Sequence, residues 1–256
     1  MKAQAMSEYD LPKFPTRHGY MSEKIQHDYI KSAIETGSMP DNAHRMAEIV
    51  SLTASSNKMK PIQFWQLYSV LGQDPIVKIV GHFYERVFDN EDWFTSVFER
   101  VGGIGHHINT QAAMWIDVMG GGPYYHGAEY RLSFHHTHNA IQLMNDKGAA
   151  RWSELMLDTL ETSTELNNTD PRVRISINTF LSHFMAKYSQ EFNFENQSFF
   201  GETNGPFKQK INFMNLTESA INTFTENDLR EALIGRGIDV SKYSDKDALV
   251  KKALTM

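Results

Sequence analysis

The chain holds eleven histidines and no cysteine, and five of the histidines fall in two tight groups. His106 and His107 are adjacent, and His135, His136 and His138 lie within one short stretch. Gln111, Trp115 and Tyr84 accompany them among large apolar residues. Imidazoles brought from two helices into an apolar pocket suit a bound metal centre or a flat apolar cofactor, because a neutral imidazole nitrogen is a good metal ligand. At about 100° per residue, His136 and His138 point some 200° apart on a helix, and His135 points about 100° from His136. One of the three can therefore face a pocket while the others face elsewhere. Each histidine also has an ordinary reading as a surface or hydrogen-bonded core residue. A site of imidazoles and a nearby carboxylate is disfavoured, since no Asp or Glu lies within four residues of either group. The lack of cysteine removes thiolate metal sites, disulfides and thiol nucleophiles together.

The elements that must carry these residues are helices. The chain has 256 residues, 41% of them hydrophobic, and a net charge of −6. That is enough apolar content for a packed core, and no basic block points to nucleic acid. No apolar run approaches the roughly eighteen residues a spanning helix needs. The opening MKAQAMSEYD turns acidic too early for a secretory signal and is not Arg-rich like a transit peptide. A cytoplasmic location is expected, with an organelle left open.

Residues 1–62 read as an N-terminal helical extension punctuated by Pro12, Pro15, Gly37, Pro40 and Pro61. Ser22–Ile34 and Asp41–Leu52 are its helix candidates, the second with Asp41 as N-cap. Beyond Pro61 the helical period strengthens. Asp74-Pro75 reads as a cap and first helical residue, followed by Ile76, Ile79, Val80, Phe83, Tyr84 and Val87 on one face. Trp93–Phe98 gives a short aromatic turn. A helix over His106–Met119 stops at Gly120-Gly-Gly-Pro123. Glu129–His138, Ala149–Thr162 and a helix capped by Asp170-Pro171 follow, the last with an apolar stripe through Ile177, Phe180, Leu181, Phe184, Met185 and Tyr188. Residues 193–215 read as a linker whose Phe199 and Phe200 suggest docking. No strand is expected.

Several of these segments carry a family resemblance. Leu67–Asn90 (LYSVLGQDPIVKIVGHFYERVFDN), Gln111–Pro123 (QAAMWIDVMGGGP) and Arg131–Leu143 (RLSFHHTHNAIQL) resemble, in order, the opening helices, the next long helix and the proximal-histidine segment of truncated haemoglobins. Trp152 sits where the subgroup called group II places a tryptophan. The resemblance covers about 130 of the 256 residues, roughly 63–192. It implies an all-α, two-over-two truncated globin fold and a bound haem b, whose iron would take a diatomic gas such as dioxygen or nitric oxide.

Its site residues transfer by register. The family's proximal histidine falls four residues after Arg-Leu, which selects His136 behind Arg131-Leu132. Counting back from Trp152 instead selects His138, because the connection here is longer than in the family, and the first register is preferred. Tyr84 matches the distal tyrosine and Gln111 a distal glutamine. His107 and Trp115 lie four residues either side of Gln111 and share its face, so His107 becomes a second donor or a sixth ligand. The extra glycine of the Gly-Gly-Gly run leaves a slip open, with Ile108 and Ala112 in place of His107 and Gln111. Phe98 matches the aromatic against the haem face, and Met114 stands beside Trp115 on the cavity wall. Tyr125 and Arg131 are candidates for the propionates, and His135 stands where group II often has arginine. Each of these also has a reading as packing or solvated surface.

The C-terminal stretch 216–256 carries helix candidates at Glu226–Gly235 and Asp245–Leu254 around an extended turn. It resembles the small helix-extended-helix module of SAP type, which in some proteins binds DNA. With seven acidic and six basic residues in 217–256, it lacks an electrostatic footprint for phosphate, and protein contact is expected instead. The functional expectation is thus a haem globin with a storage, sensing or oxidative detoxification role. The alternative is a globin-fold structural or adaptor subunit, for which the two extensions would be the contact surfaces.

Overall fold

The computed structural model describes residues 17–167, 170–196, 200–207 and 213–256. All regular structure among them is helical. The chain divides into two compact units, Met1–Pro206 and Phe207–Met256.

In the first unit the helix Gln73–Phe88 buries the stripe Ile76, Ile79, Val80, Phe83, Tyr84 and Val87. It begins before the expected cap. Gly72, at φ 72°, turns the chain into it, and Asp74 makes no capping bond. The aromatic turn is a two-turn helix, Asp92–Glu99. The helix Ile104–Ile116 then packs along Gln73–Phe88 and runs into a wider π turn, Asp117–Gly121. The glycine run stops it for two reasons. Gly120 has φ 90°, and a Cβ there would meet the Trp65 carbonyl at 2.1 Å. Asp146–Thr162 is capped by the Asn145 side chain, which accepts the Gly148 N–H. The helix Pro171–Phe192 has Asp170 as cap and Pro171 at its first turn, as the sequence indicates.

The N-terminal segment is part of this core. The helix Ser22–Glu35 buries Ile25 and Ile30, and Met21, Ile49 and Ile62 are also fully enclosed. The helix expected over 41–52 is instead a 3₁₀ turn, Ala43–Arg45, and one α turn, Ala47–Val50, broken at the extended Met46. Core side chains take the carbonyls left at its end. Trp65 Nε1 donates to Ile49, Gln26 Nε2 to Val50, and Gln66 Nε2 to Glu48 and Ser51. A longer helix would consume those acceptors itself.

Residues 200–206 are docked rather than free. Phe200 is buried, Asn204 donates its N–H to Thr179 and its amide to Ile62, and Asn178 donates to the Glu202 carbonyl. Phe199 lies outside the described residues.

The second unit closes its own small core from Phe213, Ile221, Leu229, Leu233, Leu249, Val250 and Ala253. Its helices Glu226–Ile234 and Lys246–Ala253 are capped by Thr225 and Asp245, with a 3₁₀ turn at Val240–Lys242 between them.

Candidate functional site

The first unit contains a cavity of about 300 Å³ with mainly apolar walls. One wall comes from Ile104–Ile116, where His107, Gln111 and Trp115 stack at four-residue intervals on the cavity side, together with Met114. Ile108 and Ala112 are not on it. Tyr84 and Phe98 reach it from Gln73–Phe88 and Asp92–Glu99, and Trp152 from Asp146–Thr162. Tyr125, Arg131, His135 and His136 complete it from the loop and helix that follow the glycine run. These eleven residues singled out from the sequence line one cavity, and His138 does not.

The segment carrying the last three is unusual. The helix Ala128–Phe134 buries none of its residues, and it opens into a π turn, His135–Asn139, closed by Ala140 N–H donating to His135 O at 2.9 Å. The wider turn changes the phase at which the histidines point. His136 faces the cavity and lies 4.3 Å, ring to ring, from Tyr188. Its imidazole is pushed down to about 3 by burial, then by the neighbouring His135, so it is neutral. Its Nδ1 is buried without a hydrogen bond, the Leu132 carbonyl one turn back standing near enough to raise the ring's basicity slightly. His135, pushed down to about 4 mainly by burial, is also neutral. His138 is exposed and off the cavity. Its ring stacks on Phe134 at 4.3 Å, and its Nδ1 pairs with the Thr137 hydroxyl at 2.8 Å.

Across the other helices the polar groups are paired. The Tyr84 hydroxyl donates to Gln111 Oε1 at 3.3 Å, and burial pushes its pKa far above that of free tyrosine. The Tyr84 ring stacks on His107 at 5.2 Å. His107 Nε2 lies 2.9 Å from the Phe98 carbonyl. A carbonyl only accepts, so this nitrogen carries the proton. Arg131 lies over the Tyr125 ring at 4.9 Å, and its Nη2 reaches Thr110 Oγ1 at 3.4 Å. The Trp115 ring packs edge-on against Phe180, and Trp152 lies between Phe83 and Phe200.

Two residues matter here that the sequence reading did not place in the site. Tyr188 appeared only as part of an apolar stripe, yet it is the ring against His136. Asp117, a carboxylate with no exposed surface, holds the Tyr125 N–H at 3.0 Å. An acidic residue inside the apolar run Trp115–Met119 was the available signal.

An all-helical unit enclosing an apolar cavity, with a neutral half-buried imidazole on one segment and a tyrosine–glutamine pair from two others, is globin-like. Residues 66–187 match the family described as bacterial-like globin, and over these residues the chain is similar to truncated globins, with an all-α fold. Over 118 residues it is 27% identical to two-on-two hemoglobin-3 of Arabidopsis thaliana, a match covering 46% of this chain and 65% of that relative. The family implies a haem-binding globin. The residues present fit that group, since the cavity is walled by aromatic and aliphatic side chains and His136 brings a neutral imidazole with an unsatisfied buried nitrogen. Among the described residues, no helix is long and apolar enough to cross a membrane.

Proposed function

We propose that the cavity binds haem b through His136 and that the chain takes up dioxygen, nitric oxide or a related diatomic ligand. The observation that carries this reading is His136 itself, a half-buried imidazole held neutral in a π turn and facing the cavity, whose buried Nδ1 has no hydrogen bond. A neutral imidazole keeps a lone pair on one ring nitrogen for a Lewis acid in the cavity, and the Leu132 carbonyl stands beside the ring to orient the proton of the other. The haem iron, when bound, supplies that acid and the centre at which a diatomic ligand binds.

The other residues divide the remaining work. Phe98, Trp115 and Trp152 supply apolar surface for a flat macrocycle and exclude water. Arg131 and Tyr125 offer a guanidinium and a hydroxyl to its carboxylates. His135, neutral at pH 7, offers those carboxylates a hydrogen bond rather than a charge. Tyr84 and Gln111 are the polar pair for a ligand that carries partial negative charge, Tyr84 donating to it once its hydroxyl turns from Gln111. With Gln111 Oε1 already accepting from Tyr84, what Gln111 has left to give is its amide N–H groups. Such donors slow the release of a polar ligand and favour oxidative chemistry or sensing over simple transport. His107 acts as a wall, with its Nε2 proton given to the Phe98 carbonyl.

The test is the ultraviolet–visible spectrum of the full chain after haem addition, for wild type, His136→Ala and His138→Ala. Wild type and His138→Ala should share one Soret band and one coordination state. His136→Ala should lose haem or change ligation. A His136→Ala spectrum identical to wild type would sink the assignment.

A further inference from the structure

Three separate contacts run from the N-terminal segment to the stretch bearing Tyr125, Arg131 and His136. The first is Asp117. Its Oδ1 accepts the N–H groups of Met21 and Ser22 at 2.8 and 3.2 Å, and its Oδ2 accepts those of Tyr20 and Tyr125, both at 3.0 Å. One buried carboxylate thus joins the start of the Ser22–Glu35 helix to the cavity loop. The seat is close-fitting, because a Cβ at Gly19 would stand 2.1 Å from Asp117 Oδ1. The second contact is the Tyr20 ring, 5.1 Å from that of His126. The third is Lys24 Nζ, 3.5 Å from Glu129 Oε2, while Glu129 Oε1 takes Lys187 at 3.1 Å.

What these contacts hold has little else to hold it. The helix Ala128–Phe134 and the turn His135–Asn139 bury no residue of their own, so their placement depends on the cavity's contents and on anchors at the ends. We propose that residues 20–24 are a brace for this wall, acting on Tyr125 through Asp117 and on the helix bearing Arg131 and His136 through Glu129. The brace governs how tightly the cofactor is retained. Asp117 is a positioning residue, since it touches the backbone of Tyr125 and not the cofactor. The inference rests on the haem reading for its consequence and on the contacts above for its mechanism.

The test compares full-length variants. Asp117→Asn keeps the shape but places an NH₂ group against N–H donors that a carboxylate oxygen now accepts. Tyr20→Ala with Lys24→Gln weakens the other two contacts at exposed positions. Ile177→Ala, fully buried and off the cavity, is the control for general destabilisation. Haem loss is timed by transfer to an excess of an apoglobin acceptor, and amide exchange of residues 125–136 is followed in the haem-free chain. Asp117→Asn should lose haem roughly tenfold faster, the double variant several-fold faster, and Ile177→Ala within about twofold of wild type. The exchange of the Tyr125 amide should rise in the first two and not in the control. Unchanged haem loss in both brace variants, or equal acceleration in Ile177→Ala, overturns the brace. If wild type takes up no haem, the haem reading fails by itself, and the brace stands or falls on the exchange pattern. If Asp117→Asn does not fold, the surface double variant decides.

Discussion

His183 lies outside the cavity lining, and it should make the fold sensitive to acid in a way that can be isolated. Its ring sits among Tyr29, Phe64 and Phe184, at 5.2, 5.9 and 5.6 Å. Burial, then the charge of Lys187, lowers its pKa from 6.5 to about 4, with Asp28 acting weakly the other way. Below pH 6.5 the unfolded chain takes a proton that the folded chain refuses, so stability is intact above 6.5 and is lost as pH falls toward 4. At pH 5 the unfolded imidazole is almost fully protonated and the folded one is not, which costs about 2 kcal/mol. Well below pH 4 the whole difference between the two states corresponds to about 3.4 kcal/mol. For a domain stable by roughly 5–15 kcal/mol this is a large part of the total. His183→Phe keeps a ring in the same aromatic setting and removes the proton. The measurement is urea unfolding of the haem-free chain at pH 7.5 and pH 5, followed by far-ultraviolet circular dichroism. His135 and His136 add terms of the same sign in both proteins, so the informative quantity is the difference between the two pH dependences. His183→Phe should lose about 2 kcal/mol less than wild type between these pH values. Equal losses would show that the folded imidazole binds its proton freely and that its packing does not exclude water.

Four further variants probe other parts of the fold. Tyr84→Phe in the haem-loaded chain removes a donor to a partly charged acceptor, worth roughly 1.5–3 kcal/mol, so dioxygen should dissociate about tenfold to a hundredfold faster by stopped flow. Carbon monoxide dissociation should change little, and equal changes for the two ligands would make Tyr84 a packing residue. Gly120→Ala should destabilise by about 1–3 kcal/mol from its backbone alone and by more through the clash with the Trp65 carbonyl. Gly81→Ala, in the Gln73–Phe88 helix with open space around a Cβ, should instead stabilise by up to about 1 kcal/mol in the same urea assay. His107→Ala should leave the ferrous coordination state unchanged, and a shift from six- to five-coordinate absorption would restore it as a ligand.

The apolar stripes of Gln73–Phe88 and Pro171–Phe192 were plain in the sequence because period-3.6 burial leaves a direct trace. The segment 41–52 was misjudged for the opposite reason. Its helical propensity is overridden by Trp65, Gln66 and Gln26, which claim its carbonyls from distant positions in the chain. Asp74 looked like a cap, but Gly72 takes the turn at positive φ and starts the helix sooner. The choice between His136 and His138 could not be made by counting alone. A π turn inserts a phase change that a regular helix lacks, so counting residues does not give the direction in which either ring points. The wall residues Tyr84, Gln111 and Trp115 were legible from family register. Asp117 was not, because its partners are backbone N–H groups, which leave no mark in side-chain sequence.

The unburied helix Ala128–Phe134 has a consequence for the protein's lifetime. A segment that buries no residue of its own opens more readily than the core helices, and there a protease finds backbone first. Filling the cavity stabilises the closed form by mass action, by about 4 kcal/mol when free cofactor exceeds its dissociation constant a thousandfold. On the haem reading, a scarcity of haem would then shorten the survival of the chain itself, so that its abundance in a cell would follow haem supply without any dedicated regulator.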